Sequence, residues 1–517
     1  MKKVILASCL FFIGQHLDAS AQAGAYDLSF NGTGKVITGF PGAFVTGQAN
    51  ALQTDGKIIA AGYYQKDSDI GFAFSRYNTD GSPDMSFGTN GLAKTAYSFK
   101  SGTVTYTFNF LNDIALQADG KVVYTGFSMT PVGNIAFISG RLKTNGTADS
   151  SFGTNGFAIS NVYEGADNMG YGIAVQADNK ILLGGYTNPE GFAVVRLKPD
   201  GSADSSFGVN GFVKLKVGLL RSGAYSLSLQ SDGKILLAGT ATTSLSTVIA
   251  VVRLLADGSV DESFGVHGRV VTDIRSLGDV GTCVAVGPSG KVIVGGSSND
   301  VLYSDFALAI YNSDGTLFKK TTVDVNTYND VANSVALQAD GRIVLSGYAD
   351  NATSSLLCAV RFNPDGNLDM SFGKDGKVVT DIDFTGPSET GLFIQPDDKI
   401  VITGSKQAGD TGKFATVRLL RGPVLSIHNS FAAASSLKVY PNPVTDYAML
   451  NYQLESASNI TISLLDLQGR VIVELMNEQQ SAGAHQLRLN LPASLASGQY
   501  FLRLGSGKGT EQIMMTK

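Results

Sequence analysis

The chain has 517 residues and a net charge of −5, and charged residues make up 16% of it, against roughly 25% in an average soluble protein. It contains 61 Gly, 28 Phe and 19 Tyr but no Trp, a composition typical of an all-β protein with many tight turns. No basic patch stands out, which argues against nucleic acid as a partner. The length is sufficient for several domains or for one large array of repeats.

The N-terminus predicts a signal peptide. Lys2 and Lys3 precede a mostly apolar run at residues 4–14, which is too short to span a bilayer. Small residues at 19–21 predict cleavage after Ala21, so that residues 1–21 are removed. The alternative is a lipobox ending at Cys9, a cysteine that only eight residues precede. We expect no transmembrane segment in the mature chain.

Residues 26–421 contain seven similar units. Each has a turn of the Asp-Gly-Lys type between two apolar runs, a strong hairpin signal because Gly accepts the positive φ of a tight turn. The Lys or Arg of this turn recurs at Lys57, Lys121, Lys180, Lys234, Lys291, Arg342 and Lys399. A period of 51–64 residues suits a propeller blade. Four strands in each of seven units predict an all-β, seven-bladed β-propeller.

The ends of the repeat region predict how the ring closes. The seventh unit ends near residue 421 without its fourth strand, and the missing phrase stands at residues 26–38. One blade cannot bury both of its faces, so neighbouring blades must cover them. We therefore expect the N-terminal strand to complete the seventh blade beside residues 414–421, which also removes the exposed sheet edges.

Three polar positions recur in the units. Arg occupies the third strand at Arg76, Arg141, Arg196, Arg253, Arg361 and Arg418. Asp opens a Ser-Phe-Gly phrase at Asp84, Asp149, Asp204, Asp261 and Asp369, with Asp27 as the sixth member at the N-terminus. Gln follows the first-strand Leu, Val or Ile at Gln53, Gln117, Gln176, Gln230, Gln338 and Gln395.

The fifth unit breaks the pattern at all three positions, with Gly287, Ile310 and Phe318. A buried Arg without a carboxylate is costly, so the joint loss predicts an Arg–Asp pair in each other blade, with Gln as a candidate third member. Closure then pairs Arg418 with Asp27. Simple drift of the fifth unit is the alternative explanation. The Arg set could also form a ring of cations for an anionic ligand, whereas we expect the Phe of each Ser-Phe-Gly phrase to anchor blade packing.

The consensus "LQxDGKIxxxG…FAxxRxxxDGxxDxSFGxxG" resembles the delta-60 repeat, a β-propeller-like family of bacterial exported proteins. The resemblance covers about residues 26–421. It implies the propeller fold but no catalytic residue.

After residue 421 the pattern stops. Residues 422–436 are small and polar, as in a linker, and residues 437–517 predict a small β-sandwich. The motifs "YPNP", "DLQGR" and "SGQYFLRL", with a basic last residue, resemble the C-terminal sorting domain of the type IX secretion system in Bacteroidetes-type bacteria. The matching residues are Tyr440, Pro441, Asn442, Pro443, Asp466, Gly469, Arg470 and Lys517. The polar ending "MMTK" departs from that pattern.

The resemblance implies Sec export, folding in the periplasm and passage across the outer membrane. Residues 437–517 would bind the secretion machinery, and the mature propeller would be released or attached to the cell surface. An accessory adhesive β-sandwich is the alternative for this segment.

No chemical motif points to catalysis, and we predict no catalytic residue, no cofactor and no metal ligand. Outside residues 1–21 the chain has only His267, His428 and His485, none beside a nucleophile or a second metal ligand. GxSxG, HExxH and phosphate-binding loops are absent from the sequence. Asp-rich turns such as residues 78–84 suit Asx-capped turns, with structural calcium as the alternative. We expect Cys283 and Cys358 to be small buried hydrophobes, with a disulfide between them as the alternative.

Together these patterns favour a non-enzymatic surface propeller that binds a glycan or protein ligand at its central channel. The alternative is a secreted hydrolase or lyase with its site at the channel mouth, which would need convergent His, Glu or Asp. The insertions at residues 97–109 and 160–172 contain Tyr and Asn, which suit sugar contacts better than acid–base chemistry.

Overall fold

The computed structural model describes residues 22–189, 191–384, 389–409, 411–422, 438–440, 444, 447–454, 457–465, 471–492, 495, 498–506 and 509–517. The chain forms two compact units, Met1–Gly422 and Pro423–Lys517. The signal peptide predicted at 1–21 and residues 423–436 of the predicted linker lie outside the described residues.

The first unit contains seven four-stranded antiparallel sheets, the blades. Blade 1 consists of β2 (Phe44–Leu52), β3 (Ile58–Lys66), β4 (Asp69–Tyr77) and β5 (Leu92–Thr95). Blade 2 consists of β8 (Asn109–Leu116), β9 (Val122–Met129), β10 (Ile135–Leu142) and β11 (Phe157–Ser160). Blade 3 consists of β12 (Asn168–Val175), β13 (Ile181–Thr187), β14 (Gly191–Leu197) and β15 (Phe212–Leu215). Blade 4 consists of β16 (Ser222–Leu229), β17 (Ile235–Thr242), β18 (Thr247–Leu254) and β19 (Arg269–Thr272).

Blade 5 consists of β20 (Asp279–Val286), β21 (Val292–Asn299), β22 (Ser304–Tyr311) and β23 (Leu317–Val323), with one 3-10 turn at Pro288–Gly290. Blade 6 consists of β24 (Asp330–Leu337), β25 (Ile343–Asp350), β26 (Ser355–Phe362) and β27 (Lys377–Phe384). Blade 7 consists of β28 (Gly391–Ile394), β29 (Ile400–Ala408), β30 (Thr411–Leu419) and β1 (Lys35–Thr38). A two-stranded hairpin, β6 (Phe99–Ser101) with β7 (Val104–Tyr106), lies between blades 1 and 2.

The turn after each first strand is built by local backbone preferences. Gly120 has φ of +79° between β8 and β9, a conformation that most side chains disfavour. In blades 3 and 7 the equivalent residues are Asn179 and Asp398, which adopt φ of +63° and +62°. Asn and Asp tolerate positive φ better than other non-glycine residues do.

The N-terminal strand closes the ring, as predicted. β1 pairs antiparallel with β30, from Lys35 opposite Val417 to Thr38 opposite Phe414. Tyr26 forms a further bridge with Leu419. The seventh blade is therefore assembled from both ends of the propeller, and the prediction of a seven-bladed, closed fold is confirmed.

Apolar side chains lie between the blades. Seven hydrophobic clusters are each shared by two neighbouring blades, including the one that joins blade 7 to blade 1. In that closing cluster Val401 and Phe414 of blade 7 pack with Val45 and Ile58 of blade 1. Because both faces of every blade are covered in this way, the array is stable as a ring.

The first strands β2, β8, β12, β16, β20, β24 and β28 are in contact with one another around the ring and surround a central channel. In the first six of these strands the register with the second strand shifts at the same point, for example between Gly170 and Gly172. Such β-bulges insert one extra residue and re-aim its side chain.

The second unit is a β-sandwich. One sheet contains β31 (Lys438–Tyr440), β32 (Tyr447–Leu454) and β35 (Gly483–Asn490). The other contains β34 (Val471–Gln480), β33 (Ser458–Leu465), β36 (Gln499–Ser506) and β37 (Gly509–Thr516). Leu450 and Leu489 of the first sheet share a core with Ile462 and Leu502 of the second. The predicted sandwich is confirmed.

Two of the sorting-motif residues lie in described segments. Tyr440 ends β31 and is partly exposed. Lys517 pairs through its backbone with Gly498, and its Nζ donates to the Leu495 carbonyl at 2.8 Å. The motif residues Pro441, Asn442, Pro443, Asp466, Gly469 and Arg470 lie outside the described residues. Within the described segments, no helix is long and apolar enough to cross a bilayer.

Candidate functional site in the central channel

The six recurrent Arg residues each contact the Asp of the same blade. In every case the Arg Nε donates to Asp Oδ2 at 2.7–2.9 Å, and all twelve residues are at most 7% exposed. The pairs are Arg76–Asp84, Arg141–Asp149, Arg196–Asp204, Arg253–Asp261, Arg361–Asp369 and Arg418–Asp27. A buried ion pair of this kind tolerates loss of one partner poorly.

The same guanidinium groups also join neighbouring blades. Each Nη1 donates to a backbone carbonyl in a turn of the next blade at 2.5–2.7 Å. The accepting residues are Thr144, Pro199, Ala256, Ser313, Arg421 and Thr79. Because these groups are engaged within and between blades, they do not form a ring of cations that faces a ligand.

The Phe of each Ser-Phe-Gly phrase lies under its Arg. The guanidinium carbon is 4.4–4.9 Å from the ring centroid, a cation–π geometry. Phe30, Phe87, Phe152, Phe207, Phe264 and Phe372 are all fully buried. They act in blade packing and offer no surface to a sugar.

The Lys or Arg of the Asp-Gly-Lys turn also contacts the Arg–Asp pair, a role that the sequence did not reveal. It lies 3.2–3.7 Å from the buried Asp carboxylate in all six blades. The recurrent Gln accepts from the Arg in two of them, through Gln117 and Gln338 at 3.3 Å. Burial opposes ionisation of Asp261, but hydrogen bonds from Ser263 and the Arg253 charge outweigh it and lower the Asp261 pKa to about 2.

Blade 5 replaces the ion pair with an aromatic contact. Ile310 is buried in the hydrophobic cluster between blades 5 and 6. The Lys291 ammonium lies 3.5 Å from the centroid of the Phe318 ring, so the ring takes the place of the carboxylate that other blades present to the turn Lys. Lys291 and Phe318 are therefore in direct contact, while Ile310 packs among apolar side chains.

The Asp-rich turns use their carboxylates internally. Asp80 Oδ1 accepts hydrogen bonds from the Ser82 backbone N–H at 2.9 Å and from its hydroxyl at 2.7 Å. Asp200 and Asp257 make the same contacts with Ser202 and Ser259. This is the Asx-turn arrangement rather than a set of oxygens converging on a cation.

The central channel contains a cavity of about 420 Å³, the channel cavity, lined by residues of all seven blades. The extra residues at the β-bulges project here, and Thr390 takes the equivalent place before β28. This ring consists of Gln48, Asn112, Tyr171, Tyr225, Thr282, Asn333 and Thr390. In blades 1 to 6 the bulge thus places one side chain at the channel wall.

Polar groups near the bulges also connect adjacent first strands. Asn112 Nδ2 donates to the Gly170 carbonyl at 2.7 Å, and Ser334 Oγ donates to the Thr390 carbonyl at 2.5 Å. Asp113 Oδ2 accepts from the Ile173 N–H at 3.0 Å. These bonds hold the wall in one arrangement, so that the cavity is preformed.

Among the lining residues that the structure describes, Asp113 and Glu389 carry carboxylates. Burial raises the pKa of Asp113 to about 7, although N–H groups of Ile173 and Ile114 favour its charge. Burial, together with the nearby Asp113 carboxylate, raises the pKa of Glu389 to about 7. Two like charges in one cavity disfavour each other's ionisation.

Three tyrosines cluster where blades 3 and 4 meet. Tyr171 packs edge-to-face on Tyr225 at 5.2 Å between ring centroids and stacks on Tyr186 at 5.8 Å. Burial, followed by Tyr186 and Glu389, raises the Tyr171 pKa. Tyr225 lines both the channel cavity and a second cavity of about 300 Å³ that includes Tyr186 and Arg221.

The two insertions lie in different places, and the structure also shows the surroundings of the His and Cys residues singled out in the sequence. Tyr171, from the 160–172 insertion, reaches the channel cavity, whereas residues 97–109 contribute the β6–β7 hairpin and no described lining residue. His267 is exposed, with its Nδ1 2.9 Å from Glu262 Oε2. Cys283 and Cys358 are buried free thiols, and burial raises the Cys283 pKa to about 12.

Sequence reasoning missed the residues of the channel wall, although a positional signal exists. Each bulge residue stands nine positions before the turn Lys or Arg, as Asn112 does before Lys121. The residue type at this position varies from blade to blade, so a search for conserved repeat letters passes over it.

Family models match both units. Residues 438–516 match the model described as "Secretion system C-terminal sorting domain". Residues 53–87, 176–207, 230–264, 287–317 and 338–372 match the "Domain of unknown function (DUF5122) beta-propeller". No curated protein matches the chain in sequence.

Several solved structures are similar in fold at low identity. A virginiamycin B lyase from Staphylococcus aureus is 11% identical, with 75% of this chain and 99% of that chain covered and a TM-score of 0.40. Sqt1 from Chaetomium thermophilum is 12% identical, with 74% and 96% covered and a TM-score of 0.37. The gluconolactonase XC5397 from Xanthomonas campestris is 14% identical, with 78% and 96% covered and a TM-score of 0.33. These TM-scores are too low to bear on what this chain does.

Proposed function

Because the chain is a secreted β-propeller of DUF5122 repeats that carries a C-terminal type IX sorting domain, we propose that its central channel binds a saccharide outside the cell. The observation that carries the proposal is the channel cavity of about 420 Å³, to which the bulge residues of six blades and Thr390 of blade 7 contribute side chains. Such a cavity is large enough for one or two sugar rings, since ligand pockets are typically some 300–1,000 Å³.

The chemistry of the wall supports a saccharide ligand. Gln48, Asn112 and Asn333 offer amide groups, and Tyr171 and Tyr225 offer aromatic surface with a polar tip. Sugars present hydroxyl groups together with apolar C–H faces, and a wall of this mixed kind can bind both. The bonds between adjacent first strands keep the side chains in place before the ligand arrives, which lowers the entropic cost of binding.

The test is calorimetric titration of the full chain with a panel of neutral, acidic and amine-bearing oligosaccharides. We expect at least one to bind, and Tyr225→Ala to weaken that binding by about tenfold or more. Tyr106→Ala is the matched control, because Tyr106 is partly exposed in the β6–β7 hairpin away from the channel. Absence of binding by any saccharide, or equal binding by Tyr225→Ala, overturns the proposal.

Acid–base cleavage of the bound sugar is a second candidate function. The observation in its favour is that Asp113 and Glu389 lie in the same cavity, each with its pKa raised to about 7. A carboxyl group with a pKa near the working pH can donate or accept a proton in a hydrolase or lyase. The same panel, assayed for new reducing ends and unsaturated products, tests this. Cleavage that Asp113→Asn abolishes supports an enzyme, and binding without cleavage leaves a binding module.

A further inference from the structure

The described lining of the channel cavity is acidic. Its described lining residues include two carboxylates, Asp113 and Glu389, and no Lys, Arg or His. A cavity of this composition repels an anionic ligand and attracts a cationic one, and it does so strongly where water is partly excluded.

Its neutral polar groups are also weighted towards hydrogen-bond acceptors. Asn50 Nδ2 donates to the Gly391 carbonyl at 3.1 Å and to Thr403 Oγ1 at 3.2 Å, which leaves its Oδ1 as the free group. Asn50 Oδ1, Gln48 Oε1 and Asn333 Oδ1 are buried and accept no hydrogen bond from the described residues. Buried acceptors without a donor are costly, so these oxygens favour a ligand or water that donates.

No cationic side chain among the described residues pairs with Asp113, which is held by backbone N–H groups. Its Oδ1 accepts from the Ile114 N–H at 2.8 Å and its Oδ2 from the Ile173 N–H at 3.0 Å. A carboxylate oxygen can accept about two hydrogen bonds, so each keeps capacity for a further donor. Tyr171 and Tyr225 at the same wall add aromatic surface, which also attracts cations.

We infer that the channel selects a saccharide carrying a protonated primary amine, an amino sugar whose nitrogen is not acylated, with Asp113 and Glu389 as its counter-charges. This inference rests on the proposed saccharide-binding function. An ammonium group brings three donors and one positive charge, which answers both the excess of acceptors and the excess of negative charge. N-acylation removes the charge and two of the donors.

The experiment compares matched ligands on the full chain by calorimetry near neutral pH. The probes are oligomers of glucosamine, of N-acetylglucosamine and of glucuronic acid, with a linear diamine as the amine without a sugar. We expect the glucosamine oligomer to bind about tenfold or more tightly than its acetylated counterpart, and the glucuronic acid oligomer not to bind. Added salt should narrow the difference, because it screens the charges.

Asp113→Asn and Glu389→Gln should each reduce the ratio between the two glucosamine affinities towards one. Asp119→Asn is the matched control: its carboxylate is exposed in the turn of the same blade and pairs with Lys121, so the ratio should not change. Thermal melts of each variant separate lost selectivity from lost folding.

The outcomes distinguish this inference from the proposed function. Equal binding of the free and acetylated oligomers, or tighter binding of the acidic one, overturns the amine selectivity and leaves saccharide binding intact. Binding of the diamine alone, without any sugar, overturns the saccharide part. Failure of every probe and every panel sugar to bind overturns both.

Discussion

Arg418 Nε donates a hydrogen bond to Asp27 Oδ2 at 2.7 Å, across 391 residues of chain. The pair has the same geometry as Arg253 and Asp261, which lie only eight residues apart within blade 4. In blade 7 it ties the segment before β1 to β30, and Arg418 Nη1 continues to the Thr79 carbonyl of blade 1. Ring closure therefore uses the same ion pair that holds the internal blades.

Breaking the closing pair should loosen the N-terminal segment selectively. We expect Asp27→Asn to cost about 3–5 kcal/mol in free energy of unfolding, because it leaves the Arg418 guanidinium buried without its carboxylate. The matched variant Asp261→Asn should cost a similar amount. Limited proteolysis tells them apart: cleavage between residues 22 and 38 should accelerate in Asp27→Asn and not in Asp261→Asn. Equal protection of that segment in both would show that β1 is held by other contacts.

Blade 5 allows a test of the energetic coupling between positions 310 and 318, which hold Arg and Asp in the other blades. Ile310→Arg should destabilise the chain, because it places a guanidinium beside Lys291 and Phe318 with no carboxylate to receive it. Adding Phe318→Asp should recover part of the loss, with a coupling energy of about 1–3 kcal/mol in a double-mutant cycle. Chemical denaturation of the wild type, both single variants and the double variant measures this coupling energy. Additive effects would favour independent drift of blade 5.

Local signals made most of the propeller predictable from the sequence. The Asp-Gly-Lys turn and the alternating apolar runs specify hairpins within a few residues, and their sevenfold repetition gives the number of blades. Closure was also predictable, because the phrase missing after Phe414 stands at Tyr26. The same repetition located both members of each Arg–Asp pair.

The channel site was not predictable in the same way. Tyr171 and Asp113 belong to different blades, and only the closed ring places them at one cavity. Their orientation depends on a bulge, which is a register shift between strands and leaves no fixed residue type in the sequence. The role of the turn Lys was missed for a similar reason: its contact with the buried Asp joins two separate turns of the blade.

The sorting domain should be necessary and sufficient for delivery to the cell surface. Deletion of residues 437–517 should leave the propeller in the periplasm, with nearly complete loss of the secreted or surface-attached form. Fusion of the same residues to a periplasmic reporter protein should carry the reporter to the surface, and the reporter without them is the control. Cell fractionation and protease shaving of intact cells measure both. Surface delivery of the truncated chain would contradict the assignment.

The channel carboxylates should make the fold less stable as the pH rises. The pKa of Asp113 is raised from 3.8 to about 7 in the folded chain, so folding favours its protonated form. This stabilisation is complete below about pH 4 and is lost as the pH rises through 7. The other titratable groups in the described part of the channel wall, Tyr171, Tyr225 and Cys283, have raised pKa values and stay neutral in this range. The pKa of Glu389 is also raised to about 7, so its contribution to stability changes with pH in the same direction as that of Asp113.

Asp113→Asn removes one of these ionisations, so its melting temperature should fall less than that of the wild type between about pH 5 and pH 8. We expect the free energy of unfolding of Asp113→Asn to gain on the order of 1 kcal/mol relative to the wild type near pH 8. The pKa of Asp261, the partner of Arg253, is lowered to about 2, so its ionisation affects stability only in more acidic solution. Melting curves of the wild type, Asp113→Asn and the control Asp119→Asn across this range give the measurement. Parallel pH profiles for all three would mean that Asp113 ionises as an ordinary surface carboxylate, and that burial in the channel does not raise its pKa.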